Sequence, residues 1–194
     1  MAADLFFIHT SKLLALNIPK GETMQKRIAV LVFAILTLSL FASAQASPPA
    51  SATCDLGGGK TIKTDYSSPR AKGRKIYGGL VPFGEVWRTG ANAATTFVPS
   101  ADVVVGGKTV PAGSYTIFTV PTADKWTLII NKKTGEWGIP YKYESDELVR
   151  VDMKVSKLPS PLENFTIAYD KSGSGCALQI DWETTRASVD INAK

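Results

Sequence analysis

Histidine is nearly absent from this 194-residue chain, and the single one, His9, lies ahead of a segment with the features of a cleaved leader. Without histidine the rest of the chain can build no Ser-His-Asp or Cys-His constellation. It can build no His-ligated zinc or copper site either. Cysteine is scarce as well: there are two, Cys54 and Cys176, and a bonded pair leaves no thiolate nucleophile. Long helical periodicity is missing, and so are long apolar runs, apart from "IAVLVFAILTLSLF" at Ile28 to Phe41. These absences leave carboxylates, lysine, tyrosine or an oxygen-ligated metal as the available chemistry. They favour a protein that is not an enzyme, with no metal site and no cofactor implied.

The one apolar run is informative through its flanks. Met24-Gln25-Lys26-Arg27 supplies a short basic segment before it, and Ala44-Gln45-Ala46 after it has the small-x-small pattern of a cleavage site. The run is shorter than the about 20 residues that a membrane crossing needs. A signal peptide over residues 24–46 is therefore expected rather than an uncleaved anchor, giving a periplasmic or secreted product with no membrane span after cleavage. Cys54 lies too far beyond the run to be a lipoprotein cysteine. Residues 1–23 read as an upstream extension, with Met24 the expected start. "SPPASAT", residues 47–53, reads as a linker, and residues 54–194 as a single domain long enough to bury a core.

The whole chain carries a formal charge of +5, and the part beyond the leader keeps only a slight basic excess. That excess, with no clustered stripe, gives no support to nucleic-acid binding. In an oxidising compartment two cysteines are expected to pair. Closing the long loop between Cys54 and Cys176 removes about 4–5 kcal/mol of unfolded-state entropy, and it would bring the first and last strands together.

Period-2 alternation dominates the domain. Val149, Val151, Met153 and Val155 alternate with polar residues, as do Phe165, Ile167 and Tyr169, then Leu178, Ile180 and Trp182. Val189 and Ile191 suggest a last strand after a turn near Thr184 to Arg186. Gly106-Gly107 suits a two-residue hairpin turn, while "PTADK" and "KSGSG" are further connections. No helix start follows these glycines, so they are turns rather than phosphate loops. The spacing predicts an all-β fold, an antiparallel β-sandwich (jelly-roll-like) of about eight or nine strands.

Three stretches carry candidate chemistry. Arg70, Lys72, Arg74 and Lys75 form a basic loop that reads as a solvated face or as a grip for phosphate or an anionic glycan. "TGEWGIPYKYESDE" mixes Trp137, Tyr141 and Tyr143 with Glu136, Glu144, Asp146 and Glu147. Such residues can cover one end of a core, bind sugar rings, or supply the two acids of a glycosidase. "VWRTGANAATTF" places Arg88 beside Trp87. Arg88 reads as a structural pin, buried and bonded to a carboxylate (Glu85 or Asp152) or to loop carbonyls. The functional alternative is an anion or carbonyl clamp formed by Arg88 and Asn92.

Read together, "SSPRAKGRKIYGGLVPFGEVWRTGANAATTF", "VPAGSYTIFTVP", "WTLIINKKTGEWG" and "RVDMKVSKL" resemble a family of exported bacterial proteins, domain-of-unknown-function family 2911. The resemblance spans roughly Cys54 to Ile191. It implies a secreted or periplasmic domain, and it brings no established activity, cofactor or catalytic residue. The expected function is a non-enzymatic binding domain for a glycan or another cell-envelope component, an anionic one included, with Arg88, Asn92, Trp137, Tyr141, Tyr143 and Glu144 as ligand-binding candidates. A carboxylate-based glycoside hydrolase and a structural or assembly protein of the envelope are the alternatives.

Overall fold

Val151 and Met153 are buried while Arg150, Asp152 and Lys154 are exposed, so the alternation in the sequence is realised as a half-buried strand. The structure, a computed structural model, describes residues Ser47–Lys194. The upstream extension and signal peptide expected over residues 1–46 lie outside the described residues. The chain forms β1 (Pro49–Gly57), β2 (Lys60–Ser67), β3 (Thr95–Pro99), β4 (Val103–Val105), β5 (Lys108–Val110), β6 (Tyr115–Pro121), β7 (Trp126–Asn131), β8 (Glu147–Ser172) and β9 (Gly175–Ala193). The helical structure among the described residues is one 3-10 turn at Glu144–Asp146.

The nine strands make one antiparallel sheet in the order β1-β2-β3-β6-β7-β8-β9-β4-β5, unclosed at its ends. Gly106 and Gly107 turn β4 into β5 with φ of 52° and 85°, the left-handed pair that a tight hairpin needs and that glycine adopts without a side-chain penalty. "PTADK" joins β6 to β7, and the Ser172–Gly175 closure joins β8 to β9, both as the turn chemistry suggests.

Two boundaries differ from the sequence reading. The stretch taken as a linker contains the start of β1, because Pro49 opens an edge strand, where a missing N–H breaks no ladder bond. No turn separates Trp182 from Val189: Thr184 to Arg186 lie inside β9, which bends at Glu183 (φ 53°) instead of stopping. Its partner β8 bends with it, through register shifts between Lys157 and Leu162 and between Leu162 and Thr166. Pro159 and Pro161 fall in the first of these shifts, where the ladder asks nothing of their nitrogens.

These bends curl the sheet back over its own face. Tyr169 of β8 meets Thr64 of β2 through a 2.7 Å hydroxyl contact. Cys54 of β1 is disulfide-bonded to Cys176 of β9, with Cα atoms 6.3 Å apart. Inside the curl lies an aromatic cluster of Tyr66, Tyr77, Trp87, Trp126, Phe165 and Trp182, in which Trp87 and Trp182 stack and the other pairs meet edge-on. Ile62, Phe97, Ile117, Leu128, Ile130, Leu178 and Ile180 complete the core around it.

The disulfide closes a separation of 122 residues, so its loss is expected to cost about 4–5 kcal/mol through loop-closure entropy. Chemical denaturation of a Cys54→Ser, Cys176→Ser double variant checks the cost. Thiol labelling of denatured, unreduced wild type should mark neither cysteine.

Candidate functional site

The stretch from Val86 begins as an extension of the sheet. Trp87 and Thr119 exchange both backbone hydrogen bonds, at 2.8 and 2.9 Å, and the Gly84 N–H donates to the Pro121 carbonyl. Residues 84–87 therefore run beside the end of β6. The Trp87 ring enters the aromatic core, and its Nε1 donates to the Gly90 carbonyl at 3.1 Å. Successive residues on extended backbone point to opposite faces. With Trp87 committed inward, Arg88 emerges on the outer face of the sheet.

The loop after Arg88 is pinned, but not by the arginine. Thr89 is fully buried and held at φ 54°, a conformation that is strained for a β-branched residue. Its hydroxyl meets that of Thr119 at 3.1 Å, and its carbonyl accepts the Thr95 hydroxyl at 2.6 Å. Arg88 itself is half-buried and bonds to no carboxylate and no carbonyl among the described residues. Glu85 is exposed, and Asp152 pairs with Lys125 at 2.8 Å. The expected pin and both expected partners are thus corrected: the backbone of 84–89 is secured by Trp87 and Thr89, so the guanidinium has no anchoring task.

On the outer face, Phe118 and Ile129 are buried yet stand apart from the main core. Phe118 is covered by the segment between β7 and β8. Asn131, fully buried at the end of β7, organises this cover. Its Nδ2 donates to the Tyr143 carbonyl at 2.7 Å and to the Tyr141 hydroxyl at 3.1 Å, while its Oδ1 accepts the Lys133 N–H. Tyr141 packs edge-on against Phe118, and Tyr143 stacks on it. The Tyr141 hydroxyl donates to Glu147 at 2.6 Å, and Arg150 binds both oxygens of that carboxylate. Burial, and then the Glu147 carboxylate, push the Tyr141 phenol well above its ordinary range. Tyr141 and Tyr143 therefore form the cover foreseen as one reading of this stretch.

Trp137 does not join the cover. It is 60% exposed, the most exposed large apolar residue described, beside Ile139 at 39%. The backbone at its base is fixed by the Ala94 N–H, which donates to the Glu136 carbonyl, and by Gly138 at φ 92°. A Cβ on Gly138 would approach Ala94, Arg88 and Phe118 to within 3.0–3.1 Å, so only glycine lets the chain lie this close to the sheet. The Arg88 guanidinium stands over the Trp137 ring, 5.5 Å from its centroid. Its Nε is buried with no acceptor, and desolvation lowers the pKa of the group.

The other expected site residues are not brought to this point. Asn92, at φ 57°, donates to the Ser47 carbonyl and the Ser67 hydroxyl, tying the start of the unit to β2 rather than clamping a ligand with Arg88. Glu144 is exposed in the 3-10 turn. Glu136 accepts the Tyr143 hydroxyl and lies 3.9 Å from Lys133. In the basic loop, Arg70 donates to Ser68, Arg74 caps the carbonyls of Ala71 and Arg70, and the Lys72 N–H donates to Glu163. The two arginines there fold the loop onto itself.

Sequence reasoning missed Asn131, Thr89 and Gly138. The first was signalled by a polar residue closing the apolar run "WTLIIN". Among the described residues there is no cluster of three or more His, Cys, Asp or Glu able to hold a metal ion, and no helix long and apolar enough to cross a membrane.

A family model described as "Protein of unknown function (DUF2911)" matches residues 47–191. No curated protein and no solved structure matches the chain.

Arg88→Ala is expected to leave Tm nearly unchanged, whereas breaking a buried ion pair costs about 3–5 kcal/mol. Trp87→Ala, which empties the aromatic core, is expected to lose about 3–5 kcal/mol. Calorimetry of the two variants separates these roles. Arg150 holds Glu147 below its ordinary 4.5, so its contribution is complete above about pH 4.5 and lost as pH falls through the depressed value. In an acid titration of stability, Glu147→Gln should therefore show a shallower loss below pH 4.5 than wild type.

Proposed function

The chain belongs to the DUF2911 family of unknown function, and from its own geometry we propose that it is an exported, non-enzymatic binding domain whose ligand is a glycan or another cell-envelope component. Trp137 carries the proposal. A tryptophan left 60% exposed, on a backbone fixed by Gly138 and by the Ala94–Glu136 hydrogen bond, offers a large flat apolar face with little conformational entropy left to lose. Sugar rings present one face of C–H bonds and an edge of hydroxyls, and they need both an aromatic surface and polar groups beside it. The Arg88 guanidinium, over one face of the ring, supplies donors, and Glu136 lies next to Trp137 in the chain.

The same reading takes the leader at residues 24–46 as the export signal, which agrees with a disulfide in the domain that follows. It takes the curled sheet as a two-layer β-sandwich, supported by the contacts from β2 to β8 and from β1 to β9. Hydrolysis by a carboxylate pair has less support. A glycosidase acid must hold its proton near neutral pH, whereas Glu147 is kept ionised by Arg150 and Glu136 is engaged by Tyr143.

The test uses the tryptophan itself. Trp126 and Trp182 are fully buried and Trp87 is partly buried against the aromatic core, so acrylamide quenching of the native protein should act mainly on Trp137. A bound glycan should protect it. Trp137→Ala is expected to weaken binding on a glycan array by about tenfold, roughly 1.4 kcal/mol, with Tm unchanged. Binding that is indifferent to this substitution would remove the proposal's support.

A further inference from the structure

Resting on the reading of Trp137 as a glycan platform, we infer that the selected glycan is acidic. Its pyranose ring lies on Trp137, and its anionic substituent accepts hydrogen bonds from the Nη groups of Arg88.

The five arginines in the described residues are used in different ways. Arg70 donates to the Ser68 carbonyl and hydroxyl, and Arg74 to two loop carbonyls. Arg150 and Arg186 each grip both oxygens of a carboxylate, Glu147 and Asp181. Arg88 alone among them donates from its side chain to no group among the described residues. Its Nε is already buried without an acceptor, and its guanidinium stands over the Trp137 ring.

Desolvating a cation is unfavourable unless a counter-charge compensates it, and no described acid does so: Glu85 and Glu144 are exposed and form no ion pair with Arg88. Asp152 is taken by Lys125, Glu147 by Arg150, and Glu136 by Tyr143 and Lys133. Burial lowers the pKa of Arg88 with no opposing contribution from an anion. A partly desolvated, uncompensated guanidinium is a ready anion receptor, because an arriving carboxylate gains two parallel charge-assisted hydrogen bonds and finds the solvation cost partly met. The aromatic face beside it selects for an anion carried on a flat, partly apolar ring over a free ion. A uronate has this form, and so does a sulfated sugar. The chemistry they share is an anionic group projecting from a pyranose.

The experiment is an array of uronic-acid oligosaccharides, their carboxyl-reduced neutral counterparts, and sulfated oligosaccharides. It is probed with the intact protein and with the Arg88→Gln and Arg88→Lys variants, each first checked for a wild-type Tm. Acidic glycans are expected to bind at least tenfold more tightly than the neutral forms, with affinity that falls as salt rises. Arg88→Gln should erase that preference while keeping weak neutral binding, and Arg88→Lys should restore it only in part. Preference for uronates over sulfated forms, or the reverse, assigns the anion.

Equal binding of acidic and neutral forms by wild type, or an acidic preference that survives Arg88→Gln, overturns the inference and leaves the glycan reading standing. No binding to any glycan, with acrylamide quenching of Trp137 unprotected, sinks both.

Discussion

The inward commitment of Trp87 is the constraint from which the rest of the site follows. Its ring stacks on Trp182 and meets Trp126 and Phe165 edge-on, so it is held by residues from β7, β8 and β9 at once. The paired backbone bonds to Thr119 then fix residues 84–87 as extra sheet beside β6. Extended backbone leaves the next side chain no choice of face. Arg88 is delivered to the outer surface by the packing of its neighbour, without a hydrogen-bond partner for its side chain among the described residues. The strained backbone at Thr89 is tolerated because two buried hydroxyl contacts hold it.

A second element must meet Arg88 there, and the β7–β8 segment does so through polar rather than apolar means. A segment of this length over a sheet face would bury backbone groups without partners. Asn131 answers two of them, the Tyr143 carbonyl and the Lys133 N–H, from one fully buried side chain, and the Lys132 N–H donates to the Asp146 carbonyl to close the segment. The two tyrosines lay their rings on Phe118 and keep their hydroxyls on Glu136 and Glu147. Once these groups are satisfied, Trp137 is the one ring of the segment with no place in the packing. Its exposure follows from the cover being complete without it.

Much of this was legible in the sequence, for identifiable reasons. The Gly106-Gly107 hairpin could be read because both positions need positive φ. The alternation through Val151 and Met153 could be read because one face is wet and the other dry. The cysteine pairing followed from the count and from the export that the leader led one to expect. The continuity of β8 and β9 was not legible, because Pro159, Pro161 and the polar run at Thr184 to Arg186 look like breaks. They are absorbed by register shifts and a bend that depend on the partner strand. The partner of Arg88 was misjudged for a related reason. Charge can be counted along a chain, but which acid is already taken, as Asp152 is by Lys125, depends on which strands lie side by side.

The division between the two faces of the sheet carries a consequence for how this protein can change. Stability resides in the curled interior, in the aromatic cluster and the disulfide, and the outer face adds the cover built on Asn131. Arg88 and Trp137 touch that framework mainly through backbone and Gly138. Substitutions at these two side chains therefore alter the charge and shape of the outer surface while leaving the packed interior as it was, which is the condition under which recognition can be retuned at little cost to folding. Gly138 is the exception. Any side chain there would meet Arg88, Ala94 and Phe118 together, so the approach of the cover to the sheet, and with it the distance between the arginine and the tryptophan, is set by one residue that has no side chain to vary.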